Sequence, residues 1–243
     1  MPKIPRDVII PLDFPSKSDT LRFISLFDGT GEKPFMKIGM ELFYAEGPSI
    51  VWAIADKGFK IFLDLKVCDI PNTAKGAMAS LSKLPVDIVN CHALGGSEMM
   101  RWALEGLESG GGKRPLLIGV TILTSISNTR LNSELGIGGG VDDAVIRLAR
   151  LVKDAGLDGV VCAPGEAGLI HQACGEGFVT VTPGVRFPEA DKGDQARAVG
   201  PDEARRLGSD LIVVGRPITK AADPVAVYRK YKNAFCEESG KTL

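Results

Sequence analysis

The chain has 243 residues, 44% of them hydrophobic, enough to bury the core of one large α/β domain or of two small ones. Lys and Arg number 29 and Asp and Glu 30, a net charge of −1, so no excess of positive charge exists to neutralise a nucleic-acid backbone. The N-terminal run Met1-Pro2-Lys3-Ile4-Pro5-Arg6-Asp7 lacks the apolar core of a signal peptide, and no apolar run reaches the ~18 residues that cross a bilayer; a soluble, cytoplasmic protein without a membrane partner is expected.

Short β-branched or apolar runs recur in order at 8–12, 35–38, 61–65, 86–91, 116–121, 159–162, 179–182 and 211–214. Between them lie segments of helical period, such as 73–84, 97–108, 142–155 and 223–235. Continuous apolar strands alternating with amphipathic helices imply a parallel sheet covered by helices, and eight such units close a barrel. No Pro- or Ser-rich linker divides the sequence. The reading is one (β/α)8 TIM barrel over 1–243, with an open doubly wound sheet as the alternative. Ser18-Asp19 can cap the first helix; Pro71-Asn72-Thr73 and Asp223-Pro224 combine turn and capping chemistry before later ones. The stretches 124–140 and 186–200 show no period and read as long loops, which in a barrel lie on the C-terminal face where active sites are built.

The third run ends in Asp64-Leu65-Lys66-Val67-Cys68-Asp69-Ile70-Pro71-Asn72-Thr73. Side chains alternate along a strand, so Asp64 and Lys66 share one face. Charges at the end of an apolar strand cost free energy unless paired, which points to a site; an ordinary strand-end ion pair is the alternative. Asp13, Lys37, Thr121 and Thr124 fall at other strand ends and converge with this pair on one mouth, where alternating Lys and Asp suit an anionic substrate. Gly184 and Arg186 follow the seventh strand and Gly215-Arg216-Pro217-Ile218-Thr219 the eighth, the place where barrels of this type bind phosphate. The five cysteines form no C-x-x-C pair, and only two histidines exist, so no metal site is expected. Cys91 and Cys162 read as small buried hydrophobes, and His92 as either a strand-end hydrogen-bonding residue or a catalytic one.

These pieces, with Leu12-Asp13, Lys37-Ile38-Gly39, Val89-Asn90-Cys91-His92-Ala93, Val120 to Ser125, Val181 to Arg186 and Gly193-Asp194-Gln195, run in order over nearly the whole chain. Together they resemble the orotidine 5′-phosphate decarboxylase family, whose members complete pyrimidine nucleotide synthesis. The resemblance implies a charged network of Lys37, Asp64, Lys66 and Asp69, a homodimer in which Asp69 and Thr73 reach the neighbouring subunit's site, and substrate contacts from Asp64, Ile70 and Thr73. It further implies that Asp13 and Lys37 hold ribose hydroxyls, Thr124 and Ser125 the pyrimidine, and that Pro183 lines its pocket. Arg186, Gln195, Gly215 and Arg216 would grip the phosphate of a nucleotide substrate, with 186–200 closing over it. Lys66 would stabilise and protonate a carbanion, without metal, flavin or pyridoxal cofactor. Cys68 stands where many relatives have histidine, and Pro11 where alanine is common. A related magnesium-dependent sugar-phosphate enzyme is the first rival reading, weakened by Lys37 standing where those relatives carry glutamate; a phosphate-binding barrel without catalysis is the second.

Overall fold

The computed structural model describes residues 4–187 and 199–237. Its strands are β1 (Asp7–Pro11), β2 (Phe35–Gly39), β3 (Ile61–Val67), β4 (Ile88–His92), β5 (Leu116–Val120), β6 (Gly159–Val161), β7 (Val179–Pro183) and β8 (Leu211–Val213). Each pairs in parallel with the next, and β8 closes onto β1, so the sheet is an eight-stranded closed barrel without a free edge. Closure in chain order, with a helix in each crossover, decides against the open doubly wound alternative.

Strand periodicity sorts the core into two layers. Ile9, Phe35, Phe62, Ile88, Ile118, Val179, Val181 and Leu211 point inward and fill the barrel. Their neighbours Val8, Ile10, Met36, Ile61, Leu63, Val89, Leu117, Val160 and Ile212 point outward and pack beneath the helices. Both faces of the sheet are therefore covered, which is why the strands read as continuous apolar runs. Each such fully buried side chain contributes roughly 1.5–3 kcal/mol of transfer free energy.

The helices 71–81, 96–108, 141–154 and 224–236 match the expected periodic segments to within three residues at either end. Asp223 caps the last of these, accepting the N–H of Ala226 at 3.0 Å, with Pro224 in the first turn. Two local expectations are corrected. The first helix, Lys17–Ser25, is capped by Ser16 rather than by Ser18-Asp19: Ser16 is extended (φ −145°) and its Oγ accepts the N–H of Asp19. Ile70 precedes the helix Pro71–Leu81 and makes no side-chain cap, so Pro71-Asn72-Thr73 supplies a first-turn proline but no capping bond. The stretch 124–140 also holds a short helix, Asn128–Ser133, capped by Ser127 and anchored by the buried Leu131.

At the N-terminal rim a pattern repeats. Asp87, Asp158 and Asp210 each stand one residue before an even-numbered strand, and each carboxylate accepts a backbone N–H from the odd-numbered neighbour: Ile61 at 2.9 Å, Leu117 at 2.7 Å and Thr180 at 2.9 Å. Asp158 is also held by Arg114 through two bonds of 2.6 and 2.9 Å, and Asp210 by the His171 ring at 3.0 Å. No described helix is long and apolar enough to cross a membrane.

Candidate active site

At the opposite rim the inward positions change character. Along β2 the inward residue after Phe35 is Lys37, and along β3 Phe62 is followed by Asp64 and Lys66. On β4, Ile88 is followed by Asn90. Apolar packing thus gives way to charge at the C-terminal mouth, where the barrel opens into a cleft of about 800 Å³, within the usual range for a small-molecule site.

Asp64 is the centre of the polar array. It is 7% exposed, and its Oδ1 accepts hydrogen bonds from Lys66 Nζ and from Asn90 Nδ2, both at 2.7 Å. Its Oδ2 lies 3.1 Å from Lys37 Nζ, and that amine lies 3.6 Å from Asp13 Oδ1. Burial pushes the Asp64 carboxyl upward, but the charges of Lys37 and Lys66, with the bonds from Lys66 and Asn90, outweigh it and hold the group below its ordinary value of 3.8. Asp64 is therefore ionised at neutral pH, and the mouth carries Lys, Asp and Lys in alternation.

The backbone at Lys66 is unusual. Its φ is +52°, the only positive value at a non-glycine among the described residues. For an L side chain this costs about 1–2 kcal/mol. The β3–β4 ladder passes from Leu63↔Val89 directly to Val67↔Cys91, so Asp64 to Lys66 lie in an irregular, bulged stretch. The N–H of Lys66, without a ladder partner there, donates to Asn90 Oδ1 at 2.8 Å.

Thr124, Ser125 and Pro183 line one side of the cleft, with Ile122 and Leu123; Arg186, Gly215 and Arg216 line another, with Gly184 and Lys220. Gly184 has φ +84°, a turn that frees the chain after β7, and at Gly215 a Cβ would come within 3.1 Å of Pro11 Cγ. A short helix, Arg216–Thr219, follows β8. Arg186 is 9% exposed, and its N–H donates to Val199 O at 2.8 Å, so the two ends of the 186–200 stretch meet. Gln195 lies outside the described residues.

Asp69, Ile70 and Thr73 do not enter the cleft of their own chain. All three are exposed, Ile70 to 67%, and Asp69 Oδ1 accepts the N–H of Ile70. Thr121, expected at the mouth, is corrected: it faces away, is fully buried, and its hydroxyl donates to Val161 O at 2.9 Å. His92 accepts the N–H of Leu94 at 3.4 Å, the hydrogen-bonding role at a strand end. Burial, then the nearby Lys66 charge, lowers its affinity for a proton, so the ring is neutral at pH 7. Cys91 and Cys162 are buried as expected, and burial pushes the Cys91 thiol up to about 12. Asn90, part of the 89–93 piece but without a role assigned from the sequence, is a further functional candidate; its signal is a polar residue at an inward position next to the charged strand.

The model of the orotidine 5′-phosphate decarboxylase / HUMPS family matches residues 6–231 of this chain. A Bacillus cereus (strain Q1) protein named orotidine 5′-phosphate decarboxylase is 51% identical over 233 residues, covering 95% of this chain and 97% of that protein. One from Bacillus anthracis is 52% identical with the same coverage. Among solved structures, orotidine 5′-phosphate decarboxylase from Lactobacillus acidophilus aligns with a TM-score of 0.84 at 40% identity, over 96% of this chain and 99% of that one. An uncharacterized conserved protein from Geobacillus kaustophilus aligns with a TM-score of 0.83 at 44% identity, over 94% and 99%.

Proposed function

Since the chain belongs to the orotidine 5′-phosphate decarboxylase / HUMPS family, we propose that it removes carbon dioxide from orotidine 5′-monophosphate to give uridine 5′-monophosphate in pyrimidine biosynthesis. The observation that carries this reading is the Lys37–Asp64–Lys66 array at the mouth of a nucleotide-sized cleft.

In the proposed reaction the bond between carbon 6 of the pyrimidine and its carboxylate breaks, and the electron pair stays in a ring orbital that cannot delocalise. Localised negative charge calls for a fixed positive group at that carbon. The Lys66 ammonium, held by Asp64, provides that charge and then donates a proton to carbon 6; water returns the proton to the amine afterwards. Carbon dioxide leaves, and one proton is consumed per turnover. Asp64 positions Lys66 and faces the departing carboxylate. Asp13 and Lys37 hold the ribose hydroxyls, Thr124 and Ser125 the pyrimidine edge, and Pro183 its face. Arg186, Gly215 and Arg216, with Gln195, bind the phosphate, whose binding energy far from the reacting carbon helps to organise the site. Asp69, Ile70 and Thr73, exposed on their own chain, serve the cleft of a second copy in a homodimer. The scheme uses no metal or organic cofactor, and the enzyme works in the cytoplasm.

The test follows the loss of absorbance as the orotate ring becomes a uracil ring. The unsubstituted chain should turn over, with or without EDTA. Lys66→Ala should lose at least about 10³-fold in kcat while still binding uridine 5′-monophosphate. Retained turnover refutes the proton-donor role, and a magnesium requirement would favour the sugar-phosphate rival.

A further inference from the structure

Asn90 is 1% exposed and uses a single amide for two tasks: its Oδ1 accepts the N–H of Lys66, and its Nδ2 donates to Asp64 Oδ1. The partners fix the orientation of the amide, because turning it over would set oxygen against carboxylate and NH2 against N–H. We propose that Asn90 is a positioning residue of the decarboxylation site, holding the Lys66 backbone in its left-handed conformation and the Asp64 carboxylate in place, so that the ammonium is aimed before substrate arrives. This rests on the decarboxylase reading and deepens it.

The register of the sheet explains the need. Between the paired positions 63 and 67 of β3 the chain advances four residues, while β4 advances two, from 89 to 91. The surplus takes Lys66 out of the ladder, and a buried N–H without a partner is unfavourable. A left-handed lysine is also unfavourable by itself, so something must hold it there. The Asn90 oxygen stands in for the missing strand partner. Its NH2 group meanwhile shares Asp64 Oδ1 with the Lys66 amine, closing a ring from the lysine backbone through amide and carboxylate to the lysine tip. Both ends of Lys66 are thus fixed from one point on β4. Aspartate, of the same size, keeps the acceptor but loses the donor and places a second carboxylate against Asp64. Leucine keeps the bulk and loses both bonds.

The experiment compares Asn90→Leu and Asn90→Asp with the unsubstituted chain, measuring kcat, affinity for uridine 5′-monophosphate and the thermal melt, with a crystal structure of Asn90→Leu. Misplacement of a catalytic group by about 1 Å lowers rates by about 10²-fold, so both variants should lose kcat on that order while product affinity stays within roughly threefold. In the Asn90→Leu crystal, Lys66 should return to negative φ. If Asn90→Leu melts below the assay temperature, Asn90→Asp carries the kinetic test with the same thresholds. A kcat within about threefold of the unsubstituted chain, a matched fall in kcat and product affinity, or an unchanged positive φ at Lys66 overturns the proposal. Failure of the decarboxylase reading would show separately, as absence of turnover by the unsubstituted chain.

Discussion

Replacing Asp64 with asparagine exchanges one oxygen for an NH2 group at nearly constant volume, so its consequences are electrostatic. In the native array Oδ1 takes Lys66 Nζ and Asn90 Nδ2 at 2.7 Å each, and Oδ2 faces Lys37 Nζ at 3.1 Å. Asparagine has one acceptor oxygen. Turned toward Lys66 and Asn90 it keeps two bonds and sets its NH2 against Lys37; the reverse keeps one, so the first orientation wins. In either case Lys66 loses its counter-charge, and Lys37 keeps only the more distant carboxylate of Asp13, 3.6 Å away. At an effective dielectric near 20, an opposite pair ~4 Å apart is worth ~4 kcal/mol. The Lys66 side chain is 29% exposed and recovers part of this from water; that of Lys37, 13% exposed, recovers less. Taking roughly half of the two-pair total as lost organisation gives ~3–4 kcal/mol, or about 10²–10³-fold in kcat. The fold should suffer less than the rate, because asparagine keeps the volume and two of the bonds and both lysines border the open cleft, where water can solvate them; the melting temperature should move by no more than ~4 °C. Initial rates at saturating orotidine 5′-monophosphate, beside a thermal melt, test both numbers. A kcat within tenfold of the native value would refute the assignment of Asp64 as the organiser of the array.

Mixing Asp69→Ala chains with Lys66→Ala chains should restore activity to otherwise inactive preparations, since one cleft of each mixed dimer then has both residues intact; no rescue in a mixture shown to exchange subunits sinks the shared site. Arg216→Ala removes a charge-assisted contact to phosphate worth roughly 1.5–3 kcal/mol, so KM should rise about 10- to 100-fold in saturation kinetics, and an unchanged KM places the phosphate elsewhere. Asp210→Asn should leave kcat alone and lower the melting temperature at pH 7 by several degrees, on the order of 1–3 kcal/mol. Burial raises the proton affinity of Asp210, but bonds from His171 and Thr180 more than offset it, so the native value lies below the ordinary 3.8. Its contribution to stability is fully present above pH 3.8 and is lost as pH falls through the native value. The stability gap between native and variant chains should therefore close as the solution is acidified below pH 3.8; a gap that widens there contradicts the assignment.

What was legible in the sequence depended on short-range periodicity. Alternation along 61–67 puts Asp64 and Lys66 on one face, and the structure does join them at 2.7 Å, but across a bulged stretch with Lys66 left-handed rather than along a regular strand. Parity with Ile88 makes Asn90 inward as well, but its role depends on the irregular β3–β4 register, which the sequence of neither strand displays. Proximity to a strand end puts Thr121 at the mouth, but parity decides its direction: Val120 faces the cleft and Thr121 the opposite side. At the first helix several neighbouring polar residues could cap, and only the backbone angles single out Ser16. Asn128–Ser133 is too short and too polar for a period to show.

The two rims of the barrel use the same residue type for opposite ends. At the N-terminal rim, Asp87, Asp158 and Asp210 accept N–H groups of adjacent strands, donors fixed by the sheet itself. Such bonds pin register and have no freedom to respond to a ligand. At the C-terminal rim Asp64 is bound chiefly by two ammonium groups on flexible stems, whose charge outlasts any single geometry. A carboxylate held by backbone lends stability, whereas one held between lysines fixes a field in the space above it. That difference is why substitution of Asp210 should be read out in the melt and substitution of Asp64 in turnover. It also gives Asn90 its place: among the described residues it is the one side-chain partner of Asp64 that is neutral and nearly fully buried, and it ties the array at the mouth back to the rigid strands below.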